Sequence, residues 1–458
     1  MNFNTPTKKV KKLLDTISSL EAYNSHIELP DLHLKPQMEA PSSTAINTGN
    51  YIIPSLASAA INDGMSIIKL PFKKGELTKN ILKDLFTEIN IHASKNKFDM
   101  NKYSLSVEEL KSVCLNGAEA VLEKYNIPNE ILHSIEMGGA MKKGLTEKDI
   151  DRLVPKALLK SKFSRAEFGL NFRGNHFLEL QQVEKVINQI TNSEHDIEKD
   201  DLTIMTHLGP GPFTGNLLRI YTNREKIPFV HKILYFFAKV YFHLFEKRRK
   251  DIPFFDIIKY FFVPDKYQAF DIGTKLGADY FKLIQIGTNY GYAYQIGTYA
   301  AIRDAVKKIQ NKFGLSEGDV KLMWNVSHNS IYKDGEKQIV TRHNSVKIYE
   351  NKPTILAGSF DVNSCIGFTN NTKKNKFMNT HDHGIGSIIK RLKRENKMTY
   401  SERKSFRYYF ERGTPHLQKI KESKISESKE IENIARFFDE EKIFKPWFYL
   451  RPIATLKN

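Results

Sequence analysis

The chain has 458 residues, and its 70 Lys and Arg outnumber 52 Asp and Glu for a formal charge of +18. A hydrophobic fraction of 40% with 11% aromatics supports a sizeable core and excludes a wholly disordered chain. The two cysteines, Cys114 and Cys365, exclude a disulfide framework or a Cys-rich zinc site and fit a reducing, cytoplasmic setting.

The excess positive charge favours a polyanionic partner, either nucleic acid or an anionic membrane surface. In chain order, the opening MNFNTPTKKVKKLL lacks an apolar h-region, so no secretory signal is expected. Ser106-Val-Glu-Glu starts an amphipathic run to about Lys124, predicting a helix, and Thr146 with Asp149 forms a capping-box pattern before Ile150. Phe177-Leu-Glu-Leu-Gln-Gln-Val alternates like a half-buried strand. Pro228 to Phe245 is long and apolar, but Lys232 and Lys239 would each cost roughly 3 kcal/mol at a bilayer centre. It is therefore expected to be a buried or surface-docked helix, with no stable membrane insertion.

Tyr292 to Phe313 predicts another helix, closed by Gly314, and Val320 to Val326 another strand. Gln338 to Ile355 predicts a strand pair, and 421–430 (KESKISESKE) an exposed loop or the start of a solvated helix. Lys390 to Arg412 interleaves basic residues with Tyr400, Phe406, Tyr408, Tyr409 and Phe410. It reads either as an RNA-contact surface or as a solvated helix whose aromatics pack on the core, the second being favoured. No repeat and no Pro/Gly/Ser linker divides the chain. The expected organisation is one α+β domain over 1–458, with a mixed β-sheet core, a helical insertion at 215–270 and a basic helical or loop segment at 390–430.

Walker A, HExxH, GxSxG and GxGxxG signatures are absent. What remains are histidines beside Gly, Asn or Ser at the ends of strand-like segments: His176, His207, His328 and His383. Imidazole is the commonest transition-metal ligand, and such loops bring distant residues together. His92, His133, His195 and His416 read as ordinary surface or hydrogen-bonded histidines, and His231 and His243 as helix-packing ones.

Five ordered segments, PDLHLKP (30–36), GNHFLELQQV, VSHN (326–329), HGIG (383–386) and LRPIATLK, together resemble the RtcB family of RNA ligases. The resemblance runs from Pro30 to Lys457. It implies an α+β catalytic domain peculiar to the family. It also implies an activity joining RNA 3′-phosphate or 2′,3′-cyclic phosphate ends to 5′-hydroxyl ends, with GTP and one or two Mn²⁺ ions, in RNA repair or tRNA splicing. His383, in the family's HGxG motif, corresponds to the guanylylated histidine. His176, His207 and His328 match metal ligands. Asn175, Glu179, Asp31, Ser359 and Lys457 match residues at or near the guanine nucleotide, and Gly384 and Gly386 would let backbone approach phosphate. Imidazole attack on the α-phosphorus and metal neutralisation of phosphoryl charge make chemical sense of that set.

The chain departs from the family where metal should bind. An Asp-x-x-Cys-Gly motif is represented by Ala60-Ile-Asn-Asp63-Gly64. Ala60 cannot ligate, and Asp63 stands in for the bridging Cys. The family's basic HRKGATR stretch is represented by Thr341 to Lys347, its Gly-Ser-Arg-Gly by Gly209-Pro-Gly-Pro, and the Arg after its HGAG by Ser387. Arg173, Arg342 and Lys347 are candidates to replace the lost phosphate contacts. These departures leave open two alternatives, a ligation-deficient binder of RNA ends and a metal-dependent cyclic-phosphate hydrolase. A membrane-surface protein using the 228–245 helix is a further class, one that leaves the histidines unexplained.

Overall fold

Alternation of side chains along five long strands builds the main sheet and divides the core in two. The computed structural model describes residues 6–35, 38–58, 61–92, 100–169, 176–188, 190, 196–223, 228–247, 252–336, 338–369, 377–409 and 419–457. In spatial order the sheet runs Lys352–Leu356, Ser364–Thr369, Lys445–Lys457, Phe177–Val186, Asp201–Leu208, Gly64–Lys73 and Lys321–Ser327. These neighbours are antiparallel, and the parallel pairing of Tyr400–Tyr409 with the end of Lys445–Lys457 makes the sheet mixed. Ile68, Leu180 and Ile204 point into one core cluster, whereas Ile67 and Met205 point into another on the opposite face.

The first cluster is closed by a 39-residue helix, Lys275–Phe313, capped by the Thr274 hydroxyl and ended by Gly314 at φ 60°. It starts well before the expected Tyr292. Gly291 lies inside it at a point of close approach, where a Cβ would sit 2.7 Å from Asn62 Cβ. The helix from Ser106 is shorter than expected. It runs Val107–Asn116 with the full capping box, then tightens into a 3₁₀ segment, Gly117–Val121, because Gly117 turns to φ 63° against Gly139. The Thr146–Asp149 box heads a helix over Glu147–Leu153.

Two segments differ in kind. Gln338 to Ile355 is not a strand pair but Ile339–His343, Ser345–Lys347 and Lys352–Leu356, each paired elsewhere. Asn344 and Asn351 adopt left-handed backbone (φ 51° and 57°) and redirect the chain twice. The basic 390–430 segment is not mainly helix or loop. After a helix over Gly386–Arg394 it forms the hairpin Tyr400–Tyr409 and Lys419–Ser426. Tyr408 packs inward, stacked 4.7 Å from Phe86. Phe410 and Arg412 lie outside the described residues.

A second, four-stranded sheet joins Ser25–His33, Ser42–Asn47, Ile339–His343 and Asn329–Lys333. Helices over Gly211–Arg219, Phe229–Val240 and Phe254–Phe261 occupy the 215–270 region. Both cysteines are free and buried.

Candidate functional site

Strand register explains why the histidines meet. Gly64 pairs with both Leu208 and Ser327, and Phe177 pairs with His207. Asp63, His176, His207 and His328 therefore stand at one edge of four adjacent strands. The two connections into that edge are locked: the His328 amide donates to Asp63 O at 2.9 Å, and Asn62 Nδ2 donates to Thr288 O of the long helix at 2.7 Å.

His207 Nε2 lies 2.8 Å from His328 Nε2, and nitrogens of His207, His328 and His383 all fall within 4.8 Å of one another. Burial holds the pKa of all three well below the usual imidazole range, that of His383 at about 3, with Lys35 the next cause for His383. All three rings are therefore neutral at physiological pH and offer lone pairs. His176 Nε2 stands 3.8 Å from Asp63 Oδ2, and its ring is 5.5 Å from that of His207. Asp63 Oδ1 is buried with no hydrogen-bond partner. Neutral imidazoles beside an unsatisfied carboxylate oxygen fit a borderline divalent cation such as Mn²⁺. Gly209 makes room for that carboxylate, since a Cβ there would lie 1.6 Å from Asp63 Oδ1.

His383 follows the short strand Thr380–Asp382 and is pinned by its backbone: its carbonyl accepts from Ala357 N at 3.0 Å. Its Nδ1 lies 2.9 Å from Asn344 O. A carbonyl only accepts, so Nδ1 carries the proton and Nε2 is left with the lone pair.

A cavity of about 500 Å³ opens beside these rings. Because Phe177, Glu179 and His207 share one sheet face with Thr455 and Lys457 of the neighbouring strand, the period of two delivers all five to its wall. Gly358, Ser359, Gly384 and Gly386 line it as well. Glu179 is buried and accepts from Thr455 Oγ1 at 2.7 Å and Gln181 Nε2 at 2.6 Å, and burial raises its carboxyl to about 7. Ser359 Oγ donates to Asp361 at 2.6 Å. Burial, then the charges of Arg407 and Lys390, lowers the Lys457 ammonium.

Asp31 lines the cavity but its carboxylate is engaged. It accepts from Ile388 N at 2.8 Å and Ser387 N at 3.2 Å, capping the helix Gly386–Arg394. The two amides that would otherwise greet a phosphate are thus already satisfied. Burial raises the Asp31 carboxyl to about 7.

Arg342 and Lys347 do not reach this cavity. Arg342 is fully buried and bound to Asp334 at 2.6 Å, and Lys347 holds the other oxygen of the same carboxylate at 2.6 Å. The cationic lining comes instead from Lys35, Lys390, Lys393 and Lys457. The first three were not singled out from the sequence. Lys390 and Lys393 could have been, because they are three residues apart on the helix that opens at Gly386. Phe360, also on the wall, directly follows Ser359. Ala60, Arg173 and Asn175 lie outside the described residues. Of the packing histidines, His243 is buried and stacked 4.0 Å from Phe261, whereas His231 is exposed.

Comparison with known proteins gives the family. The family model described as tRNA-splicing ligase RtcB matches residues 14–458. A protein of that name from Archaeoglobus fulgidus is 22% identical over 399 residues, covering 81% of this chain and 74% of its own length. One from Nanoarchaeum equitans is 25% identical over 437 residues, 89% and 82% of the two chains, and one from Methanococcus maripaludis is 23% identical over 364 residues, 75% and 68%. With an ordered histidine cluster, a neighbouring cationic cavity and a match over nearly its whole length, the chain belongs to the RtcB family.

Proposed function

We propose that this protein is an RNA ligase joining 3′-phosphate or 2′,3′-cyclic phosphate ends to 5′-hydroxyl ends with GTP, through a guanylate on His383, in RNA repair or tRNA splicing in the cytoplasm. The observation that carries the reading is the fixed tautomer of His383, whose free Nε2 stands beside His207, His328 and the cavity. In the first step Nε2 attacks the α-phosphorus of GTP. An N–P bond forms, the bond to the bridging oxygen breaks, and pyrophosphate leaves with the electron pair. Asn344 O keeps the Nδ1 proton in place as positive charge develops on the ring.

His207, His328, His176 and Asp63 are the residues that would hold Mn²⁺, which supplies charge neutralisation to the phosphoryl group. Lys35, Lys390 and Lys393 attract the polyphosphate. Phe177 and Phe360 offer apolar surface to the base, with Glu179 as an acceptor for its N–H groups and Lys457 as a donor to its carbonyl. A 2′,3′-cyclic phosphate is first opened by water, which breaks the bond to O2′ and leaves a 3′-phosphate and a 2′-hydroxyl. The guanylyl group then passes from Nε2 to the RNA 3′-phosphate, and attack by the 5′-hydroxyl oxygen, which loses its proton, forms the phosphodiester and releases GMP.

The test is incubation with α-labelled GTP and Mn²⁺ beside His383→Ala. An acid-labile, base-stable adduct on the wild type alone is expected. No adduct from folded, metal-loaded protein would overturn the ligase reading. Opening by water of a 2′,3′-cyclic phosphate on an added RNA end, without an adduct, would point to the hydrolase alternative.

A further inference from the structure

Away from the histidines, the helix Phe229–Val240 is built inside out. Its one buried residue is Lys239, whereas Phe229, Val230, Leu234 and Phe237 are 61–75% exposed. The positions 230, 234, 237 and 241 recur at the spacing of a single helical face, and Tyr241 and Phe245 carry the stripe onward. Phe255, in the helix Phe254–Phe261, is 83% exposed as well. Soluble monomers seldom leave so many large apolar side chains together in water, and such patches mark docking surfaces.

Two further observations indicate what covers this one. The segment 228–245 contains no Asp or Glu, and exposed Lys232 lies among its apolar residues. Beside the stripe is a cavity of about 210 Å³ lined by Arg219, Lys232, Tyr235, Phe236 and Lys239 among others. Lys232 and Phe236 belong to both the exposed surface and the cavity wall. Lys239 Nζ is held there by Thr222 O at 2.6 Å, Phe261 O at 2.9 Å and Asn223 Oδ1, which take up its three donors, whereas Arg219 Nε is buried without a hydrogen-bond partner.

We propose that this face docks on the surface of an anionic phospholipid bilayer, its aromatic stripe entering the acyl boundary and Arg219 and Lys232 at the cavity receiving a headgroup phosphate. Apolar burial and basic charge together are the two signals that stable interfacial binding requires. No helix among the described residues is long and apolar enough to cross a membrane, so the contact is interfacial. A second copy of the chain fits less well, because a two-fold contact would bring the exposed Lys232 of each copy onto a 228–245 segment that has no Asp or Glu to meet it. RNA offers no apolar layer to take up Leu234 and Phe237.

The test is co-sedimentation of the full chain with vesicles of phosphatidylcholine alone or with phosphatidylserine. Binding to the mixed vesicles is expected, reduced at least about tenfold on the neutral ones and in the surface variant Phe237→Glu/Phe255→Glu. Arg219→Gln should weaken binding to the mixed vesicles. His383→Ala should bind as wild type does, which separates this surface from the ligase reading. Wild-type protein left in the supernatant with mixed vesicles would overturn the proposal. So would equal binding by the double Glu variant, or sedimentation-velocity dimerisation that the same variant abolishes.

Discussion

His207 and His328 meet Nε2 to Nε2 at 2.8 Å, two buried neutral rings from strands 121 residues apart. One nitrogen must donate to the other while no cation is present. A cation accepting both lone pairs would move that proton to the far nitrogen of its ring. His328 Nδ1, buried and without a partner, is free to receive it. His207→Ala or His328→Ala should therefore lower Mn²⁺ affinity by at least about tenfold. In differential scanning calorimetry, Mn²⁺ at about a hundred times its Kd should stabilise the wild type by about 2.7 kcal/mol. The same concentration should give either variant much less.

Gly209 and Asp63 are fitted to one another. In Gly209→Ala the new methyl would overlap Asp63 Oδ1 and approach its Cα to 2.7 Å, so the Asp63 backbone has to move. Expected losses are about 1–3 kcal/mol of stability and a weaker metal site. Gly75→Ala, where nothing lies within 4 Å, should stay within about 0.5 kcal/mol in the same denaturant titration.

Glu179 makes a pH-dependent contribution whose sign is fixed. Its carboxyl is raised to about 7 by burial from an ordinary 4.5, so between those values the folded protein holds a proton that the unfolded chain has released. Stability from this group is present below about 4.5, is lost as pH rises, and is gone above about 7. Glu179→Gln should gain about 1–3 kcal/mol relative to wild type between pH 4 and pH 8, while binding GTP less tightly. A difference in melting that does not change with pH would remove this assignment.

Arg342 tests the distinction between a phosphate grip and a structural ion pair. Asp334→Ala leaves a fully buried guanidinium with only Thr380 Oγ1 and Met378 O as partners. Unfolding should become easier by about 3–5 kcal/mol. Guanylylation per folded molecule should be unchanged, because neither residue lines the cavity.

Much of the site was legible because histidine beside Gly or Asn at a strand end is a local pattern. His176, His328 and His383 carry it, His207 has its glycine two residues on, and three of the four share one cluster. The strands at 177–186 and 321–327 were legible for a similar reason, their period of two being written in adjacent residues. Lys35 and Phe360 were not. They reach the cavity through the path of a loop, and no periodicity records where a loop returns. Arg342 looked like a phosphate ligand because charge is visible in a sequence, whereas its burial against Asp334 is decided by tertiary packing. The long helix was underestimated at its start because Gly291 weakens a helix locally and shows its close approach to Asn62 only in the fold.

The cap that Asp31 places on the helix after HGIG has a kinetic consequence. That contact closes a loop spanning 357 residues, and the Glu179–Thr455 bond closes one of 276. Contacts of such long sequence separation bear the largest loop-closure entropy and form late. The pairing of Lys445–Lys457 with Phe177–Val186 spans the same separation and carries core residues Leu180 and Leu456, so core fluorescence and nucleotide binding should recover together on refolding.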